Sequence, residues 1–155
     1  MNAAIMNAMD PAAIEAAGLA LGTIFLLGSL TALLRYLLPA IGFSKMYRKA
    51  GVAGWKAFIP VYNIYNNYKI SWNGKLFFLY AALFLASTIL SSVAEGAMGL
   101  VAMAISIGLI FMVVKQNVKM AKRFGKGAGT GIALILFPGI TSLILGLGKA
   151  EYIAE

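Results

Sequence analysis

The chain has 155 residues, of which 61% are apolar and 12% are charged, whereas a soluble domain has roughly 45–50% apolar and about 25% charged residues. Its 13 Lys and Arg residues and five Asp and Glu residues give a formal net charge of +8, and it has neither Cys nor His. The composition therefore excludes disulfides, thiolate chemistry and imidazole chemistry, and it predicts a polytopic membrane protein. Together with four apolar segments along the chain, it predicts an all-α fold of about four transmembrane helices.

The first predicted element is a membrane-spanning helix over residues 13–38. Asp10 followed by Pro11 is typical of an N-cap with proline in the first helical turn. Acids ahead of the apolar run are atypical of a cleaved signal peptide, so we expect this span to remain in the mature protein. Gly18 and Gly22 have the G-x-x-x-G spacing that lets another helix approach closely, which predicts helix packing on this face.

The second predicted element is a basic, aromatic interfacial segment over residues 45–74. Long cations and amphipathic rings are typical of the water–lipid boundary, where an apolar body and a polar tip are both accommodated. Pro39 predicts a kink or break before this segment, and Gly51 predicts the end of a short helix. Pro60 disfavours a helical residue before it and predicts two short helical pieces that do not cross the membrane.

Residues 75–94 and 97–114 are predicted to form the second and third spans, joined as a tight antiparallel hairpin. Neither carries an ionisable residue at mid-membrane depth, which disfavours proton- or ion-coupled transport. Lysines at helical spacing predict that the third helix continues as a basic amphipathic extension over residues 115–126. The last apolar segment, 132–147, contains Pro138 and is short for a span. It either crosses with a kink or is a broken, re-entrant helix packed inside the bundle.

The charge pattern predicts an orientation. If four segments cross, residues 39–74 and 115–131 lie on one side and, with the flanking Arg35 and Lys75, hold twelve of the thirteen cations. All five acids then fall on the other side. An excess of Lys and Arg marks cytoplasmic loops, so this arrangement predicts cytoplasmic basic loops and both termini outside. A three-span arrangement, with the last segment re-entrant, changes only the position of the carboxyl end.

The candidate site residues are cations and aromatic residues beside the spans, for which we predict lipid-headgroup or interfacial roles. They are Arg35, Lys45, Arg48, Lys49, Trp55, Lys56, Tyr62, Tyr65, Trp72, Lys119, Lys122, Arg123 and Lys126. We predict no metal site and no cofactor, because scattered acids cannot supply a shell of hard oxygen ligands. We also predict no catalytic residues, because adjacent residues on a helix, such as Ser44 and Lys45, do not face each other.

Three motifs in fixed order carry a family resemblance: KAGVAGWKAFIPVYNIY, then AKRFGKGAGTGIALILFPGI, then LGLGKAEY. Over roughly residues 45–152 the chain resembles a family of small, functionally uncharacterised bacterial multi-pass membrane proteins with G-W-x-A-x-I-P-x-Y-N and A-K-x-F-G-K-G motifs. The resemblance implies the bacterial inner membrane. Some members are fused to a signal-peptidase-type domain, which implies proximity to secretion. This chain matches neither the Ser-x-Met nor the Lys-Arg element of that peptidase, so the activity is not carried over.

Three functions remain open from the sequence. The first is a non-enzymatic membrane subunit or scaffold, an accessory component of a larger complex that it joins through glycine- and alanine-rich helices. The second is an oligomeric pore or carrier for a small solute, and the third is an anionic-lipid-binding or bilayer-shaping protein. The expected partners are anionic lipid headgroups and other membrane subunits or further copies of the chain, with no nucleic acid.

Overall fold

The computed structural model describes residues 10–93 and 96–154, and the expectations for residues 1–9 lie outside that range. All regular structure in the described residues is helical. The elements are α1 (Pro11–Lys49), a 3-10 helix (Gly54–Phe58), α2 (Pro60–Ser71), α3 (Lys75–Val93), α4 (Ala97–Arg123), α5 (Ala128–Leu136) and α6 (Pro138–Leu147). By its internal contacts the chain divides into two compact units, one ending at Tyr36 and the other beginning at Leu37.

Three helices are long and apolar enough to cross a membrane, namely α1, α3 and α4. Over the described residues this confirms an all-helical chain with helices apolar enough to span a membrane. A fourth span is not confirmed among the described residues, because α5 has nine residues and α6 has ten, where a crossing needs roughly 20. At 1.5 Å per residue, the 39 residues of α1 measure about twice the thickness of the hydrocarbon core.

The helix α1 begins as the sequence predicts and continues further than expected. The side chain of Asp10 accepts a hydrogen bond from the backbone N–H of Ala12 at 3.1 Å and so caps the first turn. The predicted break at Pro39 is absent, since the helix runs through it to Lys49. A proline removes one backbone hydrogen bond, and the turns after this one are held by packing, because Ala40 and Met46 are almost completely buried.

Gly51 and Pro60 mark helix ends at the positions that the sequence predicts. Gly51 has a positive φ of 72° and ends the turn after α1, where the backbone N–H of Val52 bonds to the carbonyl of Tyr47 at 2.8 Å. Pro60 occupies the first turn of α2, and Ile59 before it is extended. The segment between the first and second spans is therefore two short helical pieces.

The last apolar segment is a hairpin of two short helices. Phe137, with φ −131° and ψ 61°, separates α5 from α6. A Cβ at Gly131 would lie 2.5 Å from the Cα of Val118, so α5 packs with its backbone directly against α4. After α6 the tail returns to the end of α4, where the N–H of Ile153 donates to the carbonyl of Arg123 at 2.7 Å. Both ends of the hairpin therefore lie beside the end of α4.

A packed core lies at this end of the second unit. It is formed by Phe43, Met46, Tyr47, Ala57, Ile70, Met120, Phe124, Leu134 and Leu145. These residues come from the end of α1, the 3-10 helix, α2, the end of α4 and the α5–α6 hairpin. Residues predicted to lie at a boundary thus enclose a small hydrophobic core of their own, which holds the basic side chains around it in place.

The hydroxyl of Tyr47 forms polar contacts beside the packed core. The hydroxyl of Tyr47 donates towards the backbone oxygen of Asn63 at 2.7 Å and lies 2.7 and 2.9 Å from the side-chain oxygens of Asn63 and Asn67. The amide nitrogen of Asn63 in turn donates to the carbonyl of Ala57 at 3.0 Å. Burial raises the pKa of the Tyr47 hydroxyl far above its ordinary value. These contacts tie α1, the 3-10 helix and α2 together.

Candidate functional site

Two lysines of α4 are held over one indole ring. Trp72 follows the last residue of α2, and its backbone N–H donates to the carbonyl of Tyr68 at 2.9 Å. The Nζ atoms of Lys115 and Lys119 each lie 5.0 Å from the centre of the Trp72 ring, within the roughly 6 Å over which cation–π attraction acts. The two ammonium groups therefore have defined positions beside the turn between α2 and α3.

The basic pocket is a cavity of about 250 Å³ next to this ring. It is lined by Ser71, Lys119, Lys122, Arg123 and Ile153. The three cations are neighbours on one face of α4, because residues three and four apart share a helix face. The main chain of Ile153 closes the pocket, since it accepts a weak 3.5 Å hydrogen bond from the guanidinium of Arg123. Each of its described lining residues is basic, neutral polar or apolar.

The 3-10 helix and α2 present an aromatic surface. The rings of Trp55 and Tyr62 lie 5.9 Å apart, and the Nζ of Lys56 lies 6.0 Å from the Trp55 ring. Trp55 is 56% exposed, and Val61, next to Tyr62 in the chain, is 64% exposed. An exposed cluster of rings with a lysine at its edge is suited to the water–lipid boundary.

Tyr65 extends this surface towards the second span. Its ring lies 5.6 Å from that of Phe77 and 6.2 Å from that of Phe78, both in the first turn of α3. The aromatic surface is therefore continuous from the 3-10 helix to the start of a membrane-spanning helix.

Lys49 takes a different place from the other candidate cations. Its Nζ donates to the carbonyl oxygens of Leu145 at 2.9 Å, Gly148 at 2.7 Å and Ala150 at 2.8 Å. An ammonium group has three donors, so all of them are used to hold the end of α6 and the tail. This geometry leaves Lys49 no proton for a lipid headgroup.

The other candidate residues do not join the basic pocket. Lys45 and Arg48 are exposed on the last turns of α1, and Lys126 is exposed after Gly125. Arg35 is exposed and belongs to the first unit. At Gly18 and Gly22 an added side chain would meet nothing within 4 Å among the described residues.

Three residues that the structure brings to the site are not among the candidate site residues predicted from the sequence. Lys115 lies one helical turn before Lys119, and that i, i+4 spacing is visible in the sequence. Ser71 and Ile153 line the basic pocket, and no local pattern marks either of them, because they reach it through the turn after α2 and the return of the tail.

The glycines that let helices touch are also different from the expected pair. A Cβ at Gly42 would lie 2.5 Å from the backbone carbon of Ser142, and one at Gly146 would lie 2.5 Å from the carbonyl oxygen of Gly42. Both contacts join the end of α1 to α6. Gly146 belongs to the LGLG motif near the end of the last apolar segment, and this motif is the sequence feature that could have indicated the close helix contact.

The described residues contain no group of three His, Cys, Asp or Glu side chains placed to hold a metal ion. The chemistry of the site is therefore that of cations, an indole ring, a hydroxyl and backbone groups. Such groups bind anions by charge and hydrogen bonds.

Comparison with known proteins gives one match. A model of a family of unknown function, DUF5684, matches residues 55–155. The matched range begins at Trp55 and includes α2 to α6, the tail and the whole basic pocket. No curated protein and no solved structure matches the chain.

Proposed function

The chain belongs to DUF5684, a family of unknown function, and from its own geometry we propose that it is a non-enzymatic membrane subunit or scaffold. It acts as an accessory component of a larger complex in the bacterial inner membrane. It joins that complex through the apolar faces of its spans, while the packed core and its basic surroundings set its depth in the bilayer.

The observation that carries this proposal is the exposure of the first span. In α1 no residue of the apolar 18-residue stretch is buried within the chain, and the corresponding shares in α3 and α4 are 6% and 11%. Gly18 and Gly22 offer a smooth face with nothing within 4 Å. In a bilayer, helices associate by close packing of such small residues and not by the hydrophobic effect. This face therefore fits a helix of another subunit.

The membrane placement that we propose has three crossings and a re-entrant hairpin. The tail is held by Lys49 and Arg123, so it lies on the face of the basic segments and not across the membrane from them. Positive charge favours the cytoplasm for this face. With an odd number of crossings, the amino end lies outside and the carboxyl end inside.

A pore or carrier has less support. The hydroxyls of Thr88, Ser91 and Ser106 all donate to carbonyl oxygens of their own helices, at 2.7 to 2.9 Å. They are thereby committed to the backbone, and in the described residues the side-chain polar contact between α3 and α4 is that of Ser87 with Ser106, at 3.3 Å. A water-filled path requires polar groups that face it along the whole span.

The proposal is tested by changing the glycine face of α1. Replacing Gly18 and Gly22 by Leu fills that face. Replacing Ala16 and Ala20 by Leu is the matched control. Each of these alanines lies two residues before one of the glycines, about 200° around the helix, and so on the opposite face. Both variants and the parent chain are purified in mild detergent, and the associated proteins are identified.

We expect a stoichiometric partner, either another membrane protein or a second copy, with the parent chain and with the alanine variant. The glycine variant loses it. Recovery of the parent chain as a monomer without a partner, or equal partner recovery with both variants, contradicts the proposal. Solute flux into vesicles that contain only this protein favours the pore instead.

A further inference from the structure

Four cations lie close together around the basic pocket, and the helix dipole accounts for only two of them. Lys115, Lys119, Lys122 and Arg123 fall within nine residues of α4, so each cation has at least one other within about 6 Å along the helix axis, less than the screening length of roughly 8–10 Å at physiological salt. The negative end of the helix dipole favours Lys122 and Arg123 in the last turn. It acts only within that turn and does not account for Lys115 and Lys119.

Two side chains of the pocket, those of Lys119 and Ser71, are held in place before any ligand binds. Lys119 is held over the Trp72 ring at 5.0 Å. Ser71 is 1% exposed, its hydroxyl donates to the carbonyl of Asn67 at 2.5 Å, and it lies 3.3 Å from the amide nitrogen of Gln116. A site whose groups are already ordered loses less entropy on binding than a set of mobile surface lysines.

In the membrane placement proposed above, the pocket falls at the depth of lipid phosphates. Phe111 is 64% exposed on the apolar part of α4, and the Nζ of Lys115 lies 5.8 Å from its ring, so Lys115 marks the boundary of the hydrocarbon. Lys119 follows one turn later, about 6 Å further along the axis at 1.5 Å per residue. The headgroup layer on each side of a bilayer has roughly this thickness.

We propose that the basic pocket binds a phosphate group, with Lys119 and Lys122 as its principal ligands. The guanidinium of Arg123 already contacts the backbone of Ile153 and adds positive charge at the wall. The volume of about 250 Å³ is below the roughly 300–1,000 Å³ of sites for drug-sized ligands, and it suits a phosphate with a small attached group. An anionic phospholipid supplies such a group from the bilayer, and a phosphate monoester supplies it from water.

The inference rests on the membrane placement proposed above and not on assembly with another subunit. Its test uses the full chain in an uncharged detergent and follows the unfolding temperature as ligand is added. The probes are short-chain phosphatidylglycerol, glycerol 3-phosphate and inorganic phosphate, with short-chain phosphatidylcholine as the zwitterionic control. None of these measurements depends on Gly18 or Gly22.

The decisive comparison is between two variants that lose the same charge. Lys119 and Lys122 are both replaced by Gln in the first, and Lys45 and Lys126, which lie outside the pocket, in the second. Each lysine near an anionic group contributes roughly a factor of five in affinity. We therefore expect phosphate-dependent stabilisation of the first variant to need at least about tenfold more ligand, and that of the second to change less than about twofold.

A variant that restores charge guards against misfolding. Lys119→Arg together with Lys122→Arg keeps the positive charge. If the Gln variant has lost the phosphate ligands and has kept its fold, we expect the Arg variant to bind phosphate again. Stabilisation by phosphatidylglycerol alone identifies a lipid headgroup, and equal stabilisation by glycerol 3-phosphate identifies a soluble ester; both support a phosphate site. Equal loss in the two Gln variants, equal stabilisation by phosphatidylcholine, or no stabilisation by any phosphate overturns it.

Discussion

The Nζ of Lys49 donates a 2.7 Å hydrogen bond to the carbonyl oxygen of Gly148. With its two further bonds to Leu145 and Ala150, the ammonium satisfies one carbonyl group in the last turn of α6 and two in the residues that follow the helix. A cation at a helix C-terminus is also favoured by the helix dipole. This contact closes the α5–α6 hairpin onto the end of α1.

Replacing Lys49 by Met is expected to lower the free energy of unfolding by roughly 2–3 kcal/mol, because hydrogen bonds from charged groups contribute that much and the stem of the side chain is retained. Thermal unfolding in mild detergent measures the loss, and faster proteolysis of residues 148–154 reports release of the tail. The exposed Lys149 provides the control, Lys149→Met. Equal stability and equal tail protection in the two variants would contradict this role.

The contact between α1 and α6 predicts a strong effect at Gly42. A Cβ there meets the backbone of Ser142 at 2.5 Å, and backbone cannot move aside as a flexible side chain can. We expect Gly42→Ala to destabilise the protein by about 1–3 kcal/mol through overpacking. Gly129→Ala is the matched change in α5, where nothing lies within 4 Å, and it is expected to be neutral or stabilising. Similar unfolding temperatures for both variants would refute the contact.

Two buried tyrosines predict opposite responses to the loss of a hydroxyl. Tyr47→Phe removes the hydroxyl that donates towards the backbone oxygen of Asn63 and contacts the side-chain oxygen of Asn67, and it is expected to cost about 1–3 kcal/mol. Tyr68 is 2% exposed, and its hydroxyl has no hydrogen-bond partner in the described part of the chain. We therefore expect Tyr68→Phe to be neutral or stabilising. Unfolding of the two variants under one condition tests the difference, and a larger loss for Tyr68→Phe would reverse the interpretation.

Alkaline pH provides an independent test of the burial of Tyr68. Desolvation by burial, with a smaller contribution from Tyr80, raises its pKa to about 12 in the folded protein, against about 10 in the unfolded chain. Because the folded state binds this proton more tightly, its contribution is complete below pH 10 and is lost as the pH rises through 10 towards 12.

The loss amounts to about 1.4 kcal/mol per pH unit in that window. The lysines also titrate there, so the measured quantity is the stability of the parent chain minus that of Tyr68→Phe. We expect this difference to be constant from pH 8 to 9.5 and to fall above pH 10. A difference that stays constant up to pH 11 would show that the tyrosine is not buried in the folded protein.

The parts of the fold that neighbouring residues determine could be predicted from the sequence. The long apolar helices follow from composition alone, and Pro60 and Gly51 act through their own backbones, so each is readable from neighbouring residues. The path of residues 128–153 is different. It depends on Gly131 meeting Val118 and on Gly146 meeting Gly42, and contacts between residues so far apart in the chain leave no periodic pattern.

The site shows the same division. Of the cations and aromatic residues predicted beside the spans, Trp72, Lys119, Lys122 and Arg123 lie close together in the structure, and their interfacial role stays a prediction. The sequence did not separate Lys49 from them, because a lysine that binds three carbonyls looks the same as one that faces solvent. Only the return of α6 distinguishes the two.

The proposed membrane placement requires that the tail and the basic segments lie on one face of the membrane. Because the chain has no cysteine, single cysteines at Lys126, Ala154 and Ala97 can be labelled without background by a membrane-impermeant maleimide in vesicles of known orientation. We predict that Lys126→Cys and Ala154→Cys are labelled from the same side and Ala97→Cys from the other. Labelling of Ala154→Cys together with Ala97→Cys, on the side opposite Lys126→Cys, would contradict the re-entrant hairpin.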